Sequence, residues 1–286
     1  MRFRSLYIVT VWLLLAGCRL QDITPEQIGM ITRSVEATAK AARPISDEEE
    51  YYVGRAVAAR ILGTTPRYKD KKLTDYVNSV GLAVAYQSET PVTYGGYHFA
   101  VLDSKEVNAF ACPGGTILIT RGMVNAVQNE DELAAVLAHE VAHINHRDGV
   151  DAISKSRWAE AVSIIGTEAA KTYGSQELAK LVSVYEGAVD DVFKTLVVNG
   201  YGQSQELSAD QASLVYLARA GYDPHALLTF LERLHREGKS SEGGVLTTHP
   251  ATSDRIDSVK GEMPVQKADA GLVQQRARRF ERVIAP

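Results

Sequence analysis

The chain has 286 residues, 45% of them hydrophobic and 23% charged, with a formal net charge of −4. That length suits one large domain or two small ones, and the apolar content is ample for a core. No basic stripe or block of like charge occurs, which argues against nucleic acid as a partner, and the 2 cysteines cannot build a disulfide framework.

At the N-terminus Arg2 and Arg4 precede an apolar run from Leu6 to Leu15, followed by Ala16-Gly17-Cys18. The run is short for a bilayer span and suits a secretory signal over residues 1–17. Leu15-Ala16-Gly17-Cys18 resembles a bacterial lipobox, in which Cys18 is lipid-modified and becomes the mature N-terminus. Arg19 follows, not the inner-membrane retention aspartate of enteric lipoproteins. The expectation is an outer-membrane lipoprotein facing the periplasm of a Gram-negative envelope, held to the membrane by the lipid on Cys18. Cys112 is then the one remaining thiol and reads as a small buried residue.

Residues 18–45 read as the lipidated end and a polar tether, and residues 46–286 as a single domain. Ser46-Asp47-Glu48-Glu49-Glu50 opens a helix with good capping chemistry that runs to about Leu62. A second helix is expected between Lys71 and Gln87. Residues 97–102, 106–111 and 116–120 read as short strands, with Gly114-Gly115 turning into the third. Together they predict a small three-stranded sheet beside the next helix, in a fold that is α+β and mostly helical.

That next helix carries the chemistry. Glu130-Asp131-Glu132 puts acids at a helix start, and Leu133, Val136, Leu137, Val141 and Ile144 follow helical spacing. His139 and His143 lie four residues apart on one face, where both can hold a single metal ion. Glu140 sits about 100° round the helix, able to reach a metal-bound water without being a ligand. This is the H-E-x-x-H arrangement of zinc-dependent peptidases, with the carboxylate as general base. Two histidines and a glutamate on so apolar a helix would be costly to bury without partners.

Beyond the motif, helices are expected from Ala152 to about Thr172, from Glu177 to about Val198 and from Gln205 to about Ala220. Asp223 and Pro224 read as N-cap and first helical residue of the following helix. Thr248-His249-Pro250 is expected to open a short helix through Ile256, and a basic helix to run from Val273 to Val283.

A metal held by two histidines needs at least one further protein ligand. His146 shares their face, but three ligands from one straight helix surround a small ion poorly. The metzincin pattern needs Gly at 146 and His at 149, where this chain has His146 and Gly149. Glu206 and Asp210 are spaced i, i+4 on an expected helix, with Ala209 leaving room for close approach. Glu206 can complete a His2Glu site, and Asp210 can accept the other ring N–H of His139. On the residues alone Glu168, Glu177 and Glu186 stay open, as does a solvated acidic face.

Several segments in order bear on this choice. Asn108 to Gly115, Gly122-Met123, Leu137 to His143, Glu206 to Asp210, Gly221 to Pro224, His249-Pro250 and Arg255-Ile256 resemble the gluzincin peptidases of the HtpX and CAAX-prenyl-protease type, peptidase family M48. The likeness covers about residues 47–262 and is greatest to soluble BepA/LoiP-like and Oma-like members. It implies a zincin-like domain and one zinc ion per chain. His139, His143 and Glu206 would be its ligands, Glu140 the catalytic base and Asp210 the partner of His139.

The resemblance implies further roles. Asn108 and Ala109 would bind the substrate backbone as an added strand. His249 would approach zinc, either as a transient ligand that blocks the site or as an oxyanion stabiliser. Arg255 would stabilise developing negative charge or pair with an acid. Relatives often carry Ser-Arg before the third-ligand segment, where this chain has Gly202-Gln203. The activity implied is hydrolysis of peptide bonds in unfolded, misfolded or stalled envelope proteins. The competing reading is a self-inhibited chaperone or assembly factor with a zinc-stiffened fold. Substrate identity and oligomeric state are not written in the sequence.

Overall fold

The computed structural model describes residues 44–153, 175–237, 245–250, 252–265 and 268–284. The expected signal, Cys18, the tether and nearly all of the helix expected from Ala152 lie outside the described residues. The elements in order are α1 (Asp47–Thr64), α2 (Lys71–Ala85), β1 (His98–Leu102), β2 (Ala109–Cys112), a single 3-10 turn (Pro113–Gly115) and β3 (Thr116–Thr120). They continue with α3 (Arg121–Ala126), α4 (Glu130–Asn145), α5 (Asp148–Asp151), α6 (Ser175–Lys194), α7 (Gln203–Ala220), α8 (His225–Glu237), α9 (Val245–Thr248), α10 (Ser253–Gly261) and α11 (Ala270–Ile284).

The helix starts are written locally. Ser46 and Glu49 form a capping box on α1, Asp70 accepts from the Leu73 N–H on α2, and Asn129 accepts from the Glu132 N–H on α4. Asp223 accepts from the His225 N–H, so it caps α8 as its position before Pro224 predicts. Helix α7 stops at Gly221 in the left-handed conformation, a C-terminal stop that glycine adopts without strain.

The strand order is β1-β3-β2, with β1 parallel and β2 antiparallel to β3. Alternate residues go to opposite faces, and both faces are covered. Val101, Ala109, Ala111, Ile117 and Ile119 join the core built with α2, α4, α7, α8 and α11. Leu102, Phe110, Cys112 and Leu118 join a second core with α1 and α6. The sheet is therefore a wedge between two helical layers, which is why its strands read as continuous apolar runs.

Three expectations shift. The second strand begins at Ala109 and not at residue 106, because the preceding backbone wraps over Thr120. The Thr120 hydroxyl donates to the Glu106 carbonyl at 2.6 Å and accepts from the Asn108 N–H at 3.1 Å. Helix α6 ends at Lys194 and passes into a π turn, Thr195–Asn199, before Gly200. The helix expected from Thr248 through Ile256 is two pieces, α9 and α10, with Thr252 capping the second. Pro250 has no N–H to give and biases His249 out of the helical region, so the helix breaks there. No helix among the described residues is long and apolar enough to cross a membrane.

Candidate metal centre

Helix α4 is buried along almost its whole length, and α7 makes its most extensive helix contact, with the methyl group of Ala209 fully buried. That packing sets one face of α7 against the histidines of α4. Glu206 Oε2 lies 3.3 Å from His139 Nε2 and Glu206 Oε1 3.4 Å from His143 Nε2. Asp210 Oδ1 is 3.0 Å from His139 Nδ1, in ion-pair contact and not in a well-aligned hydrogen bond. His249 completes the group, its Nδ1 2.8 Å from Glu206 Oε1. His139, His143, Glu206 and His249 are all buried, and each brings one donor atom within 4.8 Å of the others, so the cluster can hold a metal ion.

A carboxylate sits behind each histidine of α4. His143 Nδ1 is 2.7 Å from Asp148 Oδ2, as His139 Nδ1 faces Asp210. A proton on each Nδ1 leaves both Nε2 atoms as lone pairs, and these are 3.1 Å apart with the Glu206 carboxylate beside them. Lone pairs converging on an anion repel unless a cation lies between them. Two nitrogens bound to one tetrahedral ion at ~2.05 Å would sit roughly 3.3 Å apart, close to the observed separation. The residues present therefore fit a small divalent cation.

The charges follow from this crowding. Burial pulls the His139 imidazolium down, but Glu206 and Asp210 outweigh it and push its pKa up to about 10. Burial disfavours the Glu206 carboxylate, yet His249 and His139 hold it well below the usual range. Asp210 is likewise held low against its burial, mainly by Arg255. The side chains of this cavity form a dense electrostatic network already arranged around positive charge.

Arg255 reaches the site from α10. Its Nε and Nη2 donate to the two oxygens of Asp210 at 2.7 Å each, and its Nη1 lies 2.7 Å from Glu206 Oε2. Its charge is thus committed to two acids. Glu140 is buried beside the cluster, its Oε2 without a hydrogen-bond partner and its Oε1 4.0 Å from His249 Nε2. Asn108 and Ala109 are buried at the edge strand β2, where Asn108 Oδ1 accepts from the Ala109 N–H at 2.9 Å and from the Thr248 hydroxyl at 3.3 Å. Among the other candidates, His146 and Glu186 are exposed, and the side chains of Glu168 and Glu177 lie outside the described residues.

Three residues at the site do not emerge from the sequence reading. Asp148 holds His143 and is itself held by Gln205 Nε2 at 3.0 Å. Its signal is a carboxylate five residues after the second histidine, just past Arg147 in the left-handed conformation with φ 60°. Tyr201 stacks on the His143 ring with centroids 4.1 Å apart. Gly200, at φ 75°, allows the approach: a Cβ there would meet the Thr248 carbonyl oxygen at 2.4 Å.

The sequence profile of peptidase family M48 matches residues 71–263. The chain is 25% identical over 256 residues to the beta-barrel assembly-enhancing protease of Escherichia coli (strain K12), covering 89% of this chain and 52% of that one. It is 25% identical over 270 residues to the metalloprotease LoiP of the same organism, covering 92% of this chain and 98% of LoiP. To the mitochondrial metalloendopeptidase OMA1 of Schizosaccharomyces pombe it is 31% identical over 159 residues, 55% of this chain and 44% of that one. The chain thus spans about half the length of the assembly-enhancing proteases it matches.

Proposed function

The chain belongs to peptidase family M48, and from that premise we propose that it is a zinc-dependent metalloendopeptidase of the bacterial cell envelope. One observation carries the reading: two Nε2 atoms 3.1 Å apart converge on Glu206, each ring faced from behind by a carboxylate. The metal is zinc, which two imidazoles and one carboxylate suit. His139, His143 and Glu206 hold it, while Asp210 and Asp148 fix the tautomer and aim of the two rings.

When bound, zinc lowers the pKa of water and polarises the scissile carbonyl. Glu140 takes a proton from the attacking water and later hands it to the leaving amine. Arg255 balances the charge of Asp210 and shares Glu206, so its role is to keep both acids ionised and in place. Asn108 and Ala109 receive the substrate backbone along the edge of β2. The substrates are unfolded or stalled envelope proteins, and lipid on Cys18 tethers the enzyme to the periplasmic face of the outer membrane.

A second reading has its own support. His249 contacts Glu206 at 2.8 Å, and Thr248 contacts Asn108, so the segment around residues 245–250 covers both the metal carboxylate and the strand edge. This favours a resting form that is self-inhibited and turns over little until the segment lifts. Metal analysis of the purified protein with a casein digestion assay, before and after His249→Ala, tests both readings. One equivalent of zinc is expected, with chelator-sensitive cleavage that rises severalfold in His249→Ala. Zinc without cleavage in either form would favour a chaperone or assembly role, and absence of zinc would defeat the proposal.

A further inference from the structure

The turn of α7 that delivers Glu206 to the metal cluster also carries Gln205, about 100° round the helix. Gln205 reaches across to Asp148, the carboxylate behind His143. Its Nε2 donates to Asp148 Oδ1 at 3.0 Å, and its Oε1 accepts from the Gly202 N–H at 3.0 Å. A carboxylate offers only acceptors and a backbone N–H only a donor, so the amide fits one way round. The other oxygen of Asp148 faces His143 Nδ1 at 2.7 Å. Both oxygens of this buried carboxylate are thus engaged, and it cannot turn without breaking one contact. Gly202 has no side chain with which to cap α7, so Gln205 also ties down the helix start, as the returning half of a capping box.

We propose that Gln205 is a positioning residue of the metal centre: its amide fixes the Asp148 carboxylate, and through it the aim of His143 Nε2, in register with Glu206. The inference rests on the peptidase reading and adds to it a residue that acts only through another. Asp148 opens α5, a helix of 4 residues, which is too short to hold a side chain in place by itself. Its position is therefore set by what it bonds. Tyr201 covers one face of the His143 ring and stops it tilting, but stacking lets a ring slide in its own plane. The contact at Nδ1 stops that slide, and it is only as fixed as Asp148 is. Because Gln205 and Glu206 share one turn, the same backbone that places the carboxylate ligand also places the brace on the imidazole ligand.

The experiment is a double-mutant cycle on the full-length protein, with zinc affinity read by competition with a chromogenic chelator. Gln205→Leu keeps the bulk and helix propensity of the side chain and removes both hydrogen bonds. Zinc should bind about tenfold more weakly, the low end for losing a group that orients a ligand. In an Asp148→Ala background the same substitution should change affinity by less than about twofold, because the residue it acts through is gone. A role in capping or packing alone would cost the same in both backgrounds. With cobalt(II) in place of zinc, the visible bands should shift in Gln205→Leu, and Asp148→Ala should show no additional shift when Gln205→Leu is added.

A second variant separates the two tasks of Gln205. Gly202 has extended backbone, where serine is a favoured N-cap, and a Cβ there would lie 3.5 Å from Gln205 Oε1, an ordinary contact. Gly202→Ser combined with Gln205→Leu should recover the thermal midpoint that Gln205→Leu loses while zinc affinity stays about tenfold weak. It also serves if Gln205→Leu alone fails to fold. Parent-like affinity in a folded Gln205→Leu, or an equal loss with and without Asp148, would overturn the role of Gln205 and leave the zinc peptidase standing. A parent protein that takes up no zinc defeats the peptidase reading, and this inference falls with it.

Discussion

His143 is gripped from three sides: Asp148 at its Nδ1, the Tyr201 ring on its face and Glu206 near its Nε2. Carboxylates behind ligating histidines set the tautomer and raise ligand basicity, and losing one typically costs 10–100-fold in metal affinity. Asp148→Ala should therefore weaken zinc binding by about that factor, measured by competition with a chromogenic chelator. Unchanged affinity would mean that the ring is held by packing alone. At this scale the sequence exposes what is local and periodic. His139, Glu140 and His143 declare themselves because they share one turn of a helix. Asp148 is just as near in sequence, but a left-handed turn at Arg147 brings it back, and helical spacing does not report such a turn. Tyr201 and Thr248 reach the site by long-range packing, which leaves no periodic mark.

Among the elements, α4 is pinned at its first turn. Glu130, Asp131 and Glu132 are buried there, where the helix dipole favours negative charge. Each meets an arginine from a later element: Glu132 pairs with Arg233 of α8, and Asp131 and Glu130 pair with Arg276 and Arg279 of α11. Helix α11 thus clamps the helix that carries His139 and His143. Arg276→Ala would leave Asp131 buried with no ion-pair partner and only the Asp223 N–H to satisfy it, a loss of about 3–5 kcal/mol. A clear fall in thermal midpoint is expected, whereas Lys71→Ala, which breaks an exposed pair with Asp75, should move it little. An Arg276→Ala protein as stable as the parent would contradict the clamp. Among the described residues the longer helices and the three strands are legible from capping residues and β-rich runs, with boundaries off by a few residues, whereas the short α3, α5 and α9 are not. Strand order is not, because alternation shows which residues face a core and says nothing of which strand pairs with which. The parallel pairing of β1 with β3 places β2 on the outer side of β3, an order that no local pattern encodes.

For the whole molecule, the sheet stands between two helical layers, and the site lies where α4, α7 and the segment at His249 meet. Every buried charge around it is arranged for a cation: two carboxylates behind the histidines, one between them and Arg255 balancing the acids from behind. Glu140 has a buried oxygen without a hydrogen-bond partner beside the cluster and no cation of its own, and on this account its task is to carry the proton. The account is tested most directly by zinc content and casein cleavage measured together on Glu140→Gln. The substitution keeps the shape and removes the base, so the variant should bind zinc like the parent and cleave about 10²–10⁴-fold more slowly. Full zinc with cleavage at the parent rate would show that the proton travels by another route and would contradict the mechanism.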